Sequence, residues 1–198
     1  MKYYLDITLL PDTEITLGFI WQKVYQQVHI ALAENKIEEN SSAIALAFPK
    51  YSLTGDKKIE FPLGNKLRIF APSEELLTQL AVNNWLKRFS DHTHISSIKG
   101  VPENVNEYVC VKRKQCKTNL SRLARRRAKR KDETFEQALQ HYASFNDEQS
   151  TLPFINVNSL SKKEQFRLFI DQEKVSETTT GDFSCYGFSV DKATVPWF

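Results

Sequence analysis

Eleven Lys or Arg residues occupy the twenty positions from Lys112 to Lys131, in the run KRKQCKTNLSRLARRRAKRK, with no carboxylate among them. Charge packed that densely cannot enter a core, because burying an unpaired ion costs more than folding returns. The segment must stay on the surface, and the rest of the fold must leave it there. The chain holds 27 basic and 24 acidic residues, so outside the run 16 basic residues face 24 acidic ones. A net charge of only +3 thus conceals a positive segment on an acidic body. Self-repulsion of that kind works against folding and is relieved by a polyanionic partner, nucleic acid first among them. A solvated basic face, or a localisation-type patch, is the plainer reading of the same residues.

The run has helical order. Leu120, Leu123, Ala124 and Ala128 recur at helical spacing, with Thr118 or Asn119 available as N-cap. On such a helix Arg122, Arg125, Arg126, Lys129 and Arg130 share the opposite face. Just before it, Glu107 to Lys112 reads as a strand, which leaves Arg113 and Gln115 at the strand's exit. Arginine pairs bidentately with guanine and glutamine with adenine, so this exit is suited to reading bases.

Upstream, Met1 to Leu10 alternates as a strand, and Leu17, Ile20, Trp21, Val24, Val28, Ala31 and Leu32 follow the 3.6-residue period of a helix over 16–34. Two strands are predicted at 43–48 and 66–70, joined by a polar connection containing Gly55 and Gly64. Ser73 opens one helix with Leu76, Leu77, Leu80, Ala81 and Trp85 on its inner face, and a strand follows over 95–101. The order is βαββαβ, the ferredoxin-like arrangement, which hosts many functions and chooses none of them. The aromatic RNA-stacking signature of the commonest RNA-binding sheet is missing. Residues 102–106 mark a boundary. Beyond it lie the basic helix, a helical stretch over 133–145, and strand-like runs at 153–160, 166–170 and 183–189. The expected class is α+β: a ferredoxin-like domain in 1–104, then in 105–198 an α+β domain with an arginine-rich helix (about 118–131) and a small antiparallel sheet.

Several chemistries find no support. No apolar run approaches the roughly 20 residues of a membrane span, and the N-terminus lacks the apolar core and cleavage site of a signal peptide, so the cytoplasm is the expected location. Cys110, Cys116 and Cys185 form neither a CxxC pair nor an even framework. His92 and His94 make an HxH pair without further ligands at metal spacing. With six glycines there is no phosphate-cradling loop. We expect neither metal nor cofactor.

His29 is the titratable group of most interest. It follows Val28 on the first helix and flanks the apolar stripe, with Tyr25 and Ala33 one turn away on either side. A histidine there can face a groove beside the sheet; it can equally be an ordinary residue of a helix flank. The serines of Asn158-Ser-Leu-Ser161 are, taken alone, turn formers.

The N-terminal strand YYLDITLLPD, the His29 helix, FRLFI at 166–170, FSCYGFS at 183–189 and the ending VPWF at 195–198 together resemble the CRISPR repeat-processing endoribonuclease of subtype I-F, nearly end to end. The resemblance implies a ferredoxin-like N-terminal domain, a C-terminal domain with an arginine-rich helix, and metal-independent cleavage at the base of a repeat stem-loop. The ribose 2′-hydroxyl would be the nucleophile, leaving a 2′,3′-cyclic phosphate. By position it implies that His29 is the catalytic histidine, Ser159 orients the ribose, Tyr186 positions the histidine, Ser161 stands near the site, and Phe166 stacks under the stem. It further implies that Arg113 and Gln115 read the lower stem, and that Arg126, Lys129 and Arg130 enter the groove beside Arg122 and Arg125. Around Ala124 and Arg127 the arginine register is shifted, which leaves open which guanidiniums reach phosphates. Residues 132–152 carry no assigned function. The implied partners are the CRISPR RNA repeat hairpin and other subunits of a type I-F surveillance complex, with a monomer when free. The competing readings are a catalytically silent RNA-hairpin-binding subunit and a DNA-binding regulator. Sequence leaves His29 open as base, acid or both.

Overall fold

The computed structural model describes residues 1–53, 61–115, 120–142, 150–159 and 164–198. Strand β1 (Tyr3–Leu9) alternates, burying Leu5, Ile7 and Leu9. Helix α1 (Leu17–Glu34) buries every residue of its predicted stripe and adds Tyr25. There follow β2 (Ser41–Ser42), β3 (Ala45–Ala47), β4 (Lys66–Ala71), α2 (Glu74–Leu80), α3 (Val82–Leu86), a 3-10 segment, β5 (Thr93–Ile95) and β6 (Lys99–Gly100). The first sheet has the order β3-β4-β1-β5, with β6 also on β1, and these pairings are antiparallel. Gly55 in the predicted connection lies outside the described residues.

The helix predicted from Ser73 onward is two helices. Ala81 takes a left-handed conformation at φ 47°, ending α2 and opening α3. A straight helix would carry Ala81 and Trp85 inward. Leu77 and Leu80 are buried as the predicted face requires and Trp85 packs partly buried against the core, while the second segment adds Val82 and Leu86. The strand predicted over 95–101 is likewise two short pieces, both paired with β1.

The remaining elements are β7 (Glu107–Lys114), α4 (Leu120–Lys131), α5 (Phe135–His141), β8 (Phe154–Asn158), β9 (Gln165–Val175), β10 (Phe183–Ser184) and β11 (Val195–Trp197). A second sheet runs β11-β7-β9-β8, and β10 pairs with β2. The architecture is α+β. The caps predicted for the basic helix, Thr118 and Asn119, lie outside the described residues, as does the predicted end of the helix begun by α5.

Packing forms two compact units, one of Met1–Arg113 with Leu152–Phe198, the other of Lys114–Thr151. These units are drawn differently from a division at residue 104. The reason is the core: Val109, Val111, Ile155, Val157, Leu168 and Ile170 of the second sheet join Leu5, Ile7 and the α1 stripe in one buried cluster. Within the smaller unit α4 packs against α5, burying Ala124 and Ala138. Thr134 and Gln137 start α5 with a reciprocal capping box. No helix among the described residues is long and apolar enough to cross a membrane.

Candidate functional site

The stretch FSCYGFS, predicted as a strand, leaves the extended conformation at Ser184 and turns. The Gly187 N–H donates to the Ser184 carbonyl at 2.7 Å, and the Ser184 N–H donates to the Phe188 carbonyl at 2.8 Å. Gly187 has φ 73°, the left-handed residue that closes a three-residue hairpin loop. The turn is held from three directions. Leu46 N–H donates to the Gly187 carbonyl (2.8 Å), Ser189 N–H to that of Val111 (2.8 Å), and Cys185 N–H to that of Asn40 (3.2 Å). Tyr186 is thereby set by both large sheets of the larger unit. A Cβ on Gly187 would lie 2.4 Å from Leu46 Cγ, and the left-handed φ adds about 1–2 kcal/mol for any other residue. Gly187→Ala is expected to lower Tm by roughly 3–8 °C and to slow any reaction that needs Tyr186 in place. Thermal unfolding and a single-turnover assay on the same preparation check both.

Helix α1 grips this turn by two successive carbonyls. His29 Nδ1 lies 3.0 Å from the Cys185 carbonyl. A carbonyl only accepts, so Nδ1 carries the hydrogen, and in the neutral ring the lone pair is on Nε2. One turn earlier, the fully buried Tyr25 donates its hydroxyl to the Tyr186 carbonyl at 3.0 Å. Burial pushes that hydroxyl's pKa far up, so it remains a donor. The His29 and Tyr186 rings stack, centroids 4.3 Å apart and planes 9° from parallel. The Arg113 guanidinium lies 5.1 Å from the Tyr186 ring centroid and 5.1 Å from that of Phe166, within cation–π range. Burial, with help from the charge of Arg113, lowers the His29 pKa, against the opposing pull of the Cys185 carbonyl. The imidazole is therefore held neutral near pH 7, oriented, and able to accept a proton at Nε2.

Ser159 reaches the same helix through its neighbour. The Gln26 amide oxygen accepts from the Asn158 N–H at 2.8 Å, and its nitrogen donates to the Asn158 carbonyl at 3.3 Å. Ser159 N–H donates to the Glu164 carbonyl at 2.8 Å. Ser161 lies outside the described residues. The larger unit thus assembles His29, Tyr186, Arg113 and Phe166 by direct contact and ties the residue before Ser159 to α1. Tyr25 and Gln26 are members of this arrangement that sequence reasoning did not identify as such. Their signal was position: each sits about one helical turn before His29.

In the smaller unit, Gln115 is exposed just past β7, and Arg122, Arg125, Arg126, Lys129 and Arg130 are exposed on α4. Ala124 is fully buried and Leu123 half-buried, so the helix has one inward and one cationic face. Arg127 is half-buried in an ion pair with Glu133. The two atoms are close but lack hydrogen-bond geometry, so the contact is one of charge alone. Position 124 thus packs inward and position 127 is paired with a carboxylate. Among the described residues no three His, Cys, Asp or Glu side chains gather as a metal-ligand set.

A family model described as CRISPR-associated protein (Cas_Csy4) matches residues 4–198. A CRISPR-associated endonuclease Cas6/Csy4 of Escherichia coli (strain UTI89 / UPEC) is 32% identical over 199 residues, covering 100% of both chains. A protein of the same description from Pseudomonas aeruginosa (strain UCBPP-PA14) is 33% identical, again over 100% of both. Among solved structures, one described as an RAMP protein binding different RNA substrates aligns over 99% of both chains, at a TM-score of 0.38 and 14% identity.

Proposed function

The chain belongs to the Cas_Csy4 family of CRISPR-associated proteins, and on that premise we propose that it is an endoribonuclease that cuts CRISPR precursor transcripts at the base of the repeat stem-loop and stays on the hairpin it makes. Its full-length relatives are described as endonucleases. The observation that carries the chemistry is the oriented neutral imidazole: Nδ1–H is spent on the Cys185 carbonyl, and Nε2 is free beside Tyr186.

In the reaction we propose, His29 Nε2 takes the proton of the ribose 2′-hydroxyl as its oxygen attacks the adjacent phosphorus. A bond forms from O2′ to phosphorus, and the bond from phosphorus to the 5′ oxygen of the next nucleotide breaks. The leaving oxygen takes a proton from solvent and His29 later returns its own to solvent, giving a 5′-hydroxyl and a 2′,3′-cyclic phosphate, with no metal required. A positioned base contributes about 10²–10⁴-fold, and alignment of the hydroxyl with phosphorus adds to that. Tyr186 holds the ring from one side, Ser159 orients the ribose, and Ser161 stands nearby. Phe166, already stacked with Arg113, supports the base pair at the foot of the stem.

Binding belongs to the cationic residues. The exposed Arg122, Arg125, Arg126, Lys129 and Arg130 supply affinity through phosphates, while Arg113 and Gln115 supply sequence choice. A-form RNA has a deep, narrow major groove that side chains seldom read; a short hairpin, open at its loop end, admits a helix there. The strand order β3-β4-β1-β5 supports a ferredoxin-like domain in 1–104, and we assign hairpin binding to 105–198, which holds the cationic helix α4. The protein would act in the cytoplasm, as a monomer when free, and then as a subunit of a type I-F surveillance complex on the RNA 3′ hairpin.

The test is a repeat stem-loop RNA with a single 2′-deoxy nucleotide at the candidate cut site, run beside the all-ribose RNA in EDTA. The all-ribose hairpin is expected to be cut in full, and the deoxy hairpin bound but intact. Cutting of the deoxy hairpin, or failure to cut the all-ribose hairpin in EDTA, would remove the proposed chemistry.

A further inference from the structure

We propose that Gln26 is a positioning residue for cleavage, setting the place of Ser159 relative to His29 through the backbone of Asn158. The inference rests on the reaction just described. In the order β11-β7-β9-β8, strand β8 is an edge strand, and Asn158 is its last residue. Its N–H and carbonyl would ordinarily be left to water on that edge. The Gln26 side-chain amide meets both, accepting at 2.8 Å and donating at 3.3 Å. It acts as one extra rung of the sheet, supplied by a helix.

The consequence lies in the spacing along α1. Gln26 and His29 are three residues apart, so they occupy neighbouring positions on one side of the helix. His29 fixes the turn carrying Tyr186 by way of the Cys185 carbonyl, and Gln26 fixes the strand end leading into Ser159. Ser159 is then bounded on its other side by its own N–H bond to the Glu164 carbonyl. A single helical turn thereby sets base and ribose-orienting serine in one frame. Only a group that both donates and accepts can make this rung. A methionine of similar length makes neither bond, and an ionised glutamate keeps only the acceptor half.

Single-turnover cutting of saturating repeat hairpin is measured for the unmutated chain, Gln26→Met, Ser159→Ala and the double variant, alongside the Kd of each for a 2′-deoxy hairpin. We expect Gln26→Met to slow cutting by about 10- to 100-fold with Kd unchanged. In the Ser159→Ala background the same substitution adds little, because the route through which it acts is already gone. Unchanged cutting by Gln26→Met overturns the inference, and so does a full multiplicative loss in the double variant. Should Gln26→Met fail to fold, Gln26→Glu carries the same test, with a loss expected and with non-additivity still required. If the unmutated chain itself leaves the hairpin whole, the proposed reaction is at fault and the inference falls with it.

Discussion

His29→Ala is expected to bind a repeat hairpin with the affinity of the unmutated chain but to cut it about 10²- to 10⁴-fold more slowly. The fold should tolerate the change, because His29 is half-buried on the flank of α1 while the stripe beside it carries the packing. What the substitution removes is an imidazole oriented by the Cys185 carbonyl, together with its stacking on Tyr186. The pH dependence follows from the same geometry. Burial and Arg113 lower the His29 pKa from its ordinary 6.5, and a base works only when unprotonated. The kcat/KM profile, which reports the free enzyme, should therefore rise with pH through a midpoint below 6.5 and hold its plateau at neutral pH. A limb that falls through that region would assign His29 the role of acid. Cutting by His29→Ala at the rate of the unmutated chain would remove the residue from the mechanism. Single-turnover rates across pH, with binding measured on the 2′-deoxy hairpin, decide among these outcomes.

Arg68→Ala is expected to destabilise the chain by about 3 kcal/mol, the lower end of the cost of breaking a buried ion pair. That corresponds to a Tm loss of roughly 6–12 °C for a chain of this size. Arg68 on β4 stands directly across from Asp6 on β1 and meets it twice, Nε to Oδ1 at 2.7 Å and a terminal nitrogen to Oδ2 at 3.0 Å. Its third arm donates to the Phe198 backbone oxygen at 2.9 Å. The guanidinium lies 4.2 Å from the Phe198 ring centroid and 4.6 Å from that of Tyr4. Side-chain exposures of 10% and 14% for the pair place it near, not at, the limit of full burial. Without Arg68, the cation that remains paired with Asp6 among the described residues is Lys66, at 3.5 Å. The double variant Arg68→Met with Asp6→Leu should lose less than Arg68→Ala alone, since an apolar pair leaves no stranded charge. Thermal unfolding of the three proteins checks the order; a larger loss in the double variant would refute it. The final segment also gains a structural meaning here. VPWF is strand β11 paired with β7, which carries Arg113, and Phe198 seats it on the first sheet.

Much of the fold was legible because its determinants are local. The α1 stripe is a matter of period, and every residue in it is buried. The alternation of β1 and the run of β4 were equally direct. Failures came where long-range packing overrode a local pattern. Ala81 sits within a continuous helical period, yet the chain breaks there so that Val82 and Leu86 can join the core. FSCYGFS has the composition of a strand, but Gly187 turns it, with partners in β3 and β7. Tyr25 and Gln26 read as ordinary residues of an amphipathic helix, since each acquires its role from a carbonyl or an amide more than 130 positions away.

By itself the amino-acid order determined that Arg122, Arg125, Arg126, Lys129 and Arg130 would stay outside on one face of α4, and that α1 would bury its apolar stripe with His29 beside it. Those outcomes depend on charge solvation and periodicity, which neighbouring residues settle among themselves. Tertiary structure alone decided which imidazole nitrogen is left free and what the ring stacks on. Both depend on the Cys185 carbonyl, 156 positions from His29, and on a turn held by strands from two sheets. Directional bonds of that kind exist only once the chain has closed on itself.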